Sequence, residues 1–346
     1  MKKIILFIVV ISFVYSCSTD SGKKENASAQ KQETVDPLMQ KAKTLFGTLP
    51  KVAETDQYPT SEELVKLGKK LYFDKNLSKD NTQSCNTCHN LETYGVDNLP
   101  TSPGNDGGLG TRNSPTVLNA AFHATQFWDG RDGTIEDQAG GPILNPVEMA
   151  MPSEEVVVER LSEIDDYNEM FANAFPEETS PLNYPNIQKA IGAFERKLVT
   201  PSKFDDYLAG DASALSENEK EGLDLFINSG CITCHIGNVL GGNMFQKFGL
   251  YGNYWEYTYS EVVDNGRFDV TQNESDKYTF KVPSLRNVEK TYPYFHDGSI
   301  NDLNEAVVIM AKVELDKDFT EEDASKIVDF LGTLTGEIPA DLKKQE

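Results

Sequence analysis

The chain has 346 residues, enough for two ordinary domains with separate cores after an export segment is removed. Its 32 Lys and Arg against 55 Asp and Glu give a formal net charge of -23. A surface this acidic repels a phosphate backbone, which excludes DNA or RNA binding as the function. The charge is compatible with steering toward a basic partner protein and equally with solubility alone.

Residues 1–17 resemble a lipoprotein-type signal peptide. Two Lys residues precede an apolar run over residues 4–14 that is too short to span a bilayer comfortably, and Cys17 follows it. Residues 14–17 (VYSC) resemble a lipobox with an unusual Tyr, and simple cleavage is the alternative. Residues 18–40 are mostly polar without an apolar period, which predicts a flexible linker. We therefore expect an exported, periplasmic protein that meets the membrane through a lipid anchor only.

Four of the five Cys residues lie in two Cys-x-x-Cys-His strings, CNTCH at 85–89 and CITCH at 231–235. Two thiols on one helical turn can add to the two vinyl groups of a haem, and the following His reaches the iron. A zinc site or a redox dithiol would not require the trailing His twice. The strings predict two covalently bound c-type haems, attached through Cys85, Cys88, Cys231 and Cys234, with His89 and His235 as iron ligands.

Similar sequence surrounds the two strings. TSEE at 60–63 has the pattern of a capping box before a helix that contains Gly68, and SENE at 216–219 precedes a helix that contains Gly222. A Gly inside a helix costs about 1 kcal/mol relative to Ala, so two matching Gly residues indicate that another helix crosses each of them. Apolar stripes at helical spacing predict the crossing partners: Ile187, Ala190, Ile191, Phe194 and Leu198, then Ile327, Phe330, Leu331 and Leu334.

Each half is thus a helix, a haem string, a long loop and a helix, an arrangement that resembles the cytochrome c fold. We predict a mainly α protein with two cytochrome c-like helical domains, each enclosing one covalently bound haem, and with long loops. Helix-breaking residues at 209–211 place the boundary there. The first domain is predicted at residues 41–208 and the second at 209–346.

From about residue 64 to 336 the chain resembles the bacterial di-haem cytochrome c peroxidases. The strings that carry the resemblance are GVDNLP at 95–100, RNSPT at 112–116, QFWDGR at 126–131, NPVEM at 145–149, KVPSLRN at 281–287 and PYFHDG at 293–298. The resemblance implies an oxidoreductase that reduces hydrogen peroxide with electrons from a small cytochrome c or a copper protein. It also implies a homodimer, for which the sequence offers no exposed apolar patch as support.

The resemblance implies different roles for the two haems. The haem at His89 would be the peroxidatic one, with Glu148 moving a proton of the bound peroxide and Gln138 orienting it by hydrogen bonding. Without the resemblance Glu148 would be read as a surface residue. Trp128 falls where the family places an indole between the haems, although a lone Trp is more often part of a core.

The haem at His235 would be the electron-transfer one. The family position of its sixth ligand corresponds to Met310. A Met suits this role because a thioether favours Fe(II) and raises the reduction potential. Met244 is the competing ligand, and either Met could be plain core packing.

The resemblance also implies a calcium site between the haems. Its ligands would be Asn113 and the backbone carbonyls of Thr291 and Pro293, an all-oxygen set of the kind that a hard cation accepts. His296 lies nearby, and we expect it to form a local hydrogen bond rather than to bind iron.

The sequence departs from the family pattern in the loop after the first string. Many family members carry a His there that caps the peroxidatic iron in the oxidised enzyme, and this chain has Asn105 in PGNDGG at 103–108. Our hypothesis is that this haem has an open or water-bound position even when both irons are ferric. Two other functions stay open: a di-haem electron carrier without catalysis, and a related di-haem oxygenase acting on a protein, although such oxygenases carry Tyr where Met310 falls.

Overall fold

The computed structural model describes residues 36–344. Its helices are α1 (Pro37–Leu45), α2 (Glu62–Phe73), α3 (Cys85–Cys88), α4 (Ile135–Leu144), α5 (Glu154–Ser162), α6 (Asp165–Ala174), α7 (Tyr184–Glu195), α8 (Lys203–Ala209), α9 (Glu217–Ser229), α10 (Tyr254–Thr258), α11 (Phe268–Thr271), α12 (Leu303–Leu315) and α13 (Glu321–Gly332). Strands β1 (Phe245–Lys247) and β2 (Thr279–Lys281) pair antiparallel, with Gln246 opposite Phe280. The protein is mainly helical with long loops, as the sequence predicts.

Two helix crossings repeat the same close approach of backbones. A Cβ added to Gly68 of α2 would lie 1.8 Å from the carbonyl oxygen of Ala190 in α7. A Cβ added to Gly222 of α9 would lie 1.9 Å from the carbonyl oxygen of Lys326 in α13. No side chain fits at either distance, which confirms that each Gly marks the place where a second helix crosses.

The apolar stripes fill two hydrophobic cores. Leu67 and Leu71 of α2 pack with Ile187 and Phe194 of α7 in the first core. The second core joins α9 to α13 and also takes in Phe204 of α8, Met39 and Ala42 of α1, and Phe46, which directly follows α1. Helices α1 and α8 therefore pack with the second half of the chain. The domain limits at residues 41–208 and 209–346 stay a prediction.

The helix starts refine two predictions. Ser61, one residue later than expected, caps α2 by accepting a hydrogen bond from the Leu64 amide, whereas Ser216 and Glu219 form the predicted capping box of α9. Helix α1 begins at Pro37, because the Asp36 side chain accepts hydrogen bonds from the first-turn amides. Residues 37–40, which the prediction placed in the flexible linker 18–40, are therefore helical, and the linker itself stays a prediction.

Within residues 36–344, no helix combines the length and the apolar character needed to cross a bilayer. The predicted signal peptide, Cys17 and most of the linker lie outside the described residues.

Candidate haem sites

The first attachment string forms a single helical turn, α3, that brings Cys85 and Cys88 onto one side. His89 follows directly, and its backbone carbonyl accepts a 2.6 Å hydrogen bond from the Tyr72 hydroxyl of α2. Burial lowers the pKa of the His89 imidazole, so the ring is neutral near pH 7 and can offer a lone pair to a metal. The first core helix thus fixes the position of the predicted iron ligand.

The second string is a tight 3-10 turn over Cys231–Thr233 after Gly230, whose φ of 108° only Gly adopts readily. Nδ1 of His235 donates a 2.9 Å hydrogen bond to the carbonyl of Leu240. This bond fixes the tautomer in which Nε2 is unprotonated, as is usual for metal-ligating His residues. His235 therefore has an unprotonated Nε2, which the predicted iron ligation needs, and the ligation itself stays a prediction.

The cysteines of both strings fit covalent haem attachment. All four are free thiols in the described chain, so none is committed to a disulfide. Burial raises the pKa of Cys88 to about 11, with smaller contributions from nearby carboxylates, so its sulfur is not a poised redox thiolate. The donor set of two thiols and one neutral imidazole per site is that of a c-type haem and not of a dithiol enzyme.

Helix α12 runs past the second string and carries Met310, which is half-buried. Glu314 lies one turn further on the same face of α12. Burial raises the pKa of the Cys234 thiol, and the charge of Glu314 is the next largest cause of the rise. Met244 lies just before β1, with its backbone carbonyl accepting a hydrogen bond from Val282. The choice between the two Met residues as ligand stays a prediction.

Glu148 lies beside the first string. Its Oε1 accepts a 2.8 Å hydrogen bond from the Asn145 side chain, and its charge contributes to the raised pKa of Cys88. Burial raises the pKa of Glu148 above its ordinary value, against the opposing effects of Arg131 and Asn145. A partly buried acid that binds a proton more tightly than a surface Glu can serve in proton transfer.

Gln138 lies on α4, the helix that leads into the Glu148 turn, and is half-buried. The turn folds back on this helix, since the Met149 amide bonds to the Pro142 carbonyl. No hydrogen bond between the Gln138 and Glu148 side chains is formed in the described structure. The two predicted residues thus share one helix-turn unit without a direct contact.

Trp128, Asn113 and His296 meet in one place. The Trp128 indole donates a hydrogen bond to the Asn113 carbonyl, and the Asn113 amide donates one to the His296 carbonyl. The local hydrogen bond predicted for the His296 ring was wrong, since neither ring nitrogen has a partner among the described residues. The imidazole instead stacks on Phe280, at 4.3 Å between ring centroids, and packs against Tyr254.

The three predicted calcium ligands have few hydrogen bonds to described residues. The Asn113 side-chain amide donates 3.0 Å to the Leu99 carbonyl, which leaves its oxygen for another partner. No hydrogen bond from a described residue reaches the carbonyls of Thr291 and Pro293. Residues 36–344 contain no cluster of three or more His, Cys, Asp or Glu side chains that could hold a metal ion. Calcium binding by these neutral oxygens stays a prediction.

Two buried ionisable groups near these sites were not predicted. Glu195, at the end of α7, is 5% exposed. Lys281, in β2, is 7% exposed, and among the described residues its ammonium group bonds to the His123 ring and donates to the Thr125 carbonyl. Glu195 lies in the helix that carries the first apolar stripe, and Lys281 begins the string KVPSLRN at 281–287. In each case the sequence signal was a charged residue inside an otherwise apolar, buried pattern.

Comparisons with known proteins agree with this architecture. A family model described as di-haem cytochrome c peroxidase matches residues 62–213. The cytochrome c551 peroxidase of Pseudomonas aeruginosa is 45% identical over 306 residues, 88% of each chain. That of Nitrosomonas europaea is 45% identical over 282 residues, 81% of this chain and 82% of its own. The structure of a MauG-like protein associated with microbial copper homeostasis matches with a TM-score of 0.73 at 29% identity, covering 86% of this chain and 96% of that one.

The helical fold and the two attachment strings define an oxidoreductase with two c-type haems. The chain belongs to the di-haem cytochrome c peroxidase family.

Proposed function

We propose that this protein reduces hydrogen peroxide to water at the haem of His89, using electrons that a small cytochrome c or copper protein delivers to the haem of His235. Haem iron supplies the binding of peroxide oxygen and the one-electron chemistry. The observation that carries the proposal is the position of Glu148 beside Cys88, with a raised pKa and a fixed hydrogen bond from Asn145.

Glu148 would move the proton in this reaction. A carboxyl whose pKa is raised can accept a proton from one oxygen of peroxide and return it to the other near neutral pH. Asn145 holds the Glu148 Oε1 at 2.8 Å and leaves Oε2 free for that transfer. Gln138, on the preceding helix, would orient peroxide through its side-chain amide.

Electrons would enter at the second haem and reach the first through Trp128. Met310 would complete the coordination of the second iron and leave no position there for peroxide. Trp128 is held by its hydrogen bond to Asn113, which fixes the orientation of the indole ring. Calcium bound by Asn113 and the carbonyls of Thr291 and Pro293 would stabilise the same region.

The substitution Glu148→Gln tests the catalytic proposal. Steady-state peroxide consumption with a reduced donor should fall roughly 10²–10⁴-fold, because Gln cannot transfer a proton. Glu159→Gln, on the exposed side of α5, is the matched control and should keep wild-type turnover. Unchanged turnover in Glu148→Gln would instead favour an electron carrier.

The loop at Asn105 supports an open peroxidatic iron. The Asn105 side chain accepts hydrogen bonds from the Asp80 amide and the Thr82 hydroxyl and donates one of 2.8 Å to the Asp80 carboxylate. These bonds commit it to the segment before the first string. Electron paramagnetic resonance of the fully oxidised protein should show one high-spin haem, and a spectrum with only low-spin haem would contradict the open position.

Export to the periplasm, a lipid anchor at Cys17 and assembly as a homodimer complete the proposal. Membrane fractionation of the full chain beside a Cys17→Ser variant tests the anchor, because only the acylated form should stay with the membrane.

Calcium content, compared between the wild type and Asn113→Ala, tests the proposed calcium site.

A further inference from the structure

Glu195 is a buried acid whose carboxyl group has no hydrogen-bond partner among residues 36–344. It is the last residue of α7 and is 5% exposed. No hydrogen bond or ion pair within residues 36–344 involves its carboxyl group, and its backbone carbonyl bonds to Leu198. An ionised carboxylate that is largely shielded from water and has no hydrogen-bond donor beside it is costly.

The neighbouring cation is committed to a different acid. Arg196 donates to both oxygens of Glu136, at 2.9 and 2.8 Å, and its Nη1 donates to the Ala53 carbonyl. Its guanidinium also lies over the Tyr58 ring. Burial first, and then the negative charge of Glu136, raise the pKa of Glu195 to about 8, against a smaller opposing effect of Arg196.

Glu195 lies close enough to the first haem string for its charge to act on it. Burial raises the pKa of both Cys85 and Tyr72, and the charge of Glu195 is the next largest cause at each group. Tyr72 in turn donates its hydroxyl hydrogen bond to the carbonyl of His89. The carboxyl therefore lies where a change in its charge acts on the attachment and ligand residues of that haem.

We propose that Glu195 is a redox-linked proton site of the first haem. Its carboxylate takes up one proton from water when the ferric iron gains one electron, and the carboxylic acid releases that proton when the iron loses the electron. The donor protein supplies the electron. Ferric iron carries one more positive charge than ferrous iron, so it favours the nearby carboxylate, and the ferrous iron favours the neutral acid.

The other groups that face Glu195 do not take over this role. Tyr72 on α2 keeps its proton because its pKa is raised well above the ordinary value. Cys85 on α3 is a thioether in the haem-bound protein. Glu136 on α4 is bound by Arg196 through two hydrogen bonds. The carboxyl of Glu195 is left to respond to the iron.

A potentiometric titration of the first haem in the holoprotein tests the proposal without peroxide. In the wild type the reduction potential should fall as the pH rises through about 8, because the anion that forms stabilises ferric iron. Glu195→Gln should lose this fall, and Glu169→Gln, exposed on α6, should keep it. A redox-difference infrared spectrum should contain a carboxylic acid band that is absent only in Glu195→Gln.

Wild-type pH dependence and an unchanged infrared band in Glu195→Gln would overturn the proposal. If that variant fails to retain haem, Glu195→Asp decides. In Glu195→Asp the carboxyl lies one methylene further back, so the reduction potential should still depend on pH but should change at a different pH. A pH dependence identical to that of the wild type would also overturn the proposal. The inference requires haem at the first string but no catalysis, so an inactive protein with this pH dependence would count against the proposed function alone.

Discussion

The indole Nε1 of Trp128 donates a 2.9 Å hydrogen bond to the backbone carbonyl of Asn113. The amide of Asn113 in turn donates a 2.7 Å hydrogen bond to the carbonyl of His296, so one residue joins Trp128 to the loop of the predicted calcium site. Loss of order at Asn113 would therefore also disturb the orientation of the Trp128 ring.

Trp128→Phe should slow electron transfer between the haems, because it removes both the indole and its anchoring hydrogen bond. It should also lower the free energy of unfolding by about 1 kcal/mol for the hydrogen bond that is lost. Flash photolysis that follows reoxidation of one haem by the other measures the rate. Trp255→Phe on α10 replaces the other Trp of the chain and should leave the rate unchanged, whereas equal rates in wild type and Trp128→Phe would rule out the path.

Met310→Leu should convert the second haem from a sulfur-ligated state to one with an open or water-bound position. The sulfur-to-iron charge-transfer band should disappear and the reduction potential of that haem should drop, because a soft neutral ligand no longer favours Fe(II).

Met244→Leu is the matched variant and should keep the band. The reverse pattern, in which only Met244→Leu loses the band, would exchange the two assignments.

Gly68→Ala and Gly222→Ala should each destabilise the protein by roughly 1–3 kcal/mol, since the added methyl meets a backbone carbonyl that cannot move without parting two helices. Urea unfolding followed by circular dichroism measures the loss. Gly108→Ala is the control, because its Cβ would come no closer than 4.0 Å to another atom. Equal stability of all three variants would mean that the helices separate easily at the crossings.

Both crossings could be predicted because their signal is local. A Gly inside an apolar helical pattern, repeated at matching distances from two haem strings, needs no knowledge of the rest of the chain. The contacts of Glu195 and His296 could not be predicted, since they depend on which distant segments pack together. The same is true of Asp205, which forms a buried ion pair with Arg286, 81 positions further along the chain. No local sequence pattern predicts that pair.

Asp205 should make the protein sensitive to acid. Burial alone would raise the pKa of its carboxyl, but the hydrogen bonds and charge of Arg286 outweigh burial and hold the pKa below the ordinary value. A carboxyl with a lowered folded-state pKa contributes stability that is fully present above its unfolded pKa of about 3.9 and is lost as the pH falls through the folded value.

Asp205→Asn leaves the Arg286 guanidinium buried without its anion and should cost about 3 kcal/mol near pH 7. Its stability should also fall less steeply in acid than that of the wild type. Asp224→Asn, exposed on α9, should match the wild type in both respects. Denaturant unfolding at several pH values gives both quantities, and parallel acid profiles for wild type and Asp205→Asn would exclude this source of acid sensitivity.

The most direct test counts haem and turnover on one purified sample. We expect two covalently bound haems per polypeptide by the pyridine haemochrome method, and consumption of hydrogen peroxide that depends on a reduced small cytochrome or copper protein. A sample with no covalently bound haem, or one with both haems bound and neither reacting with peroxide, would contradict this account.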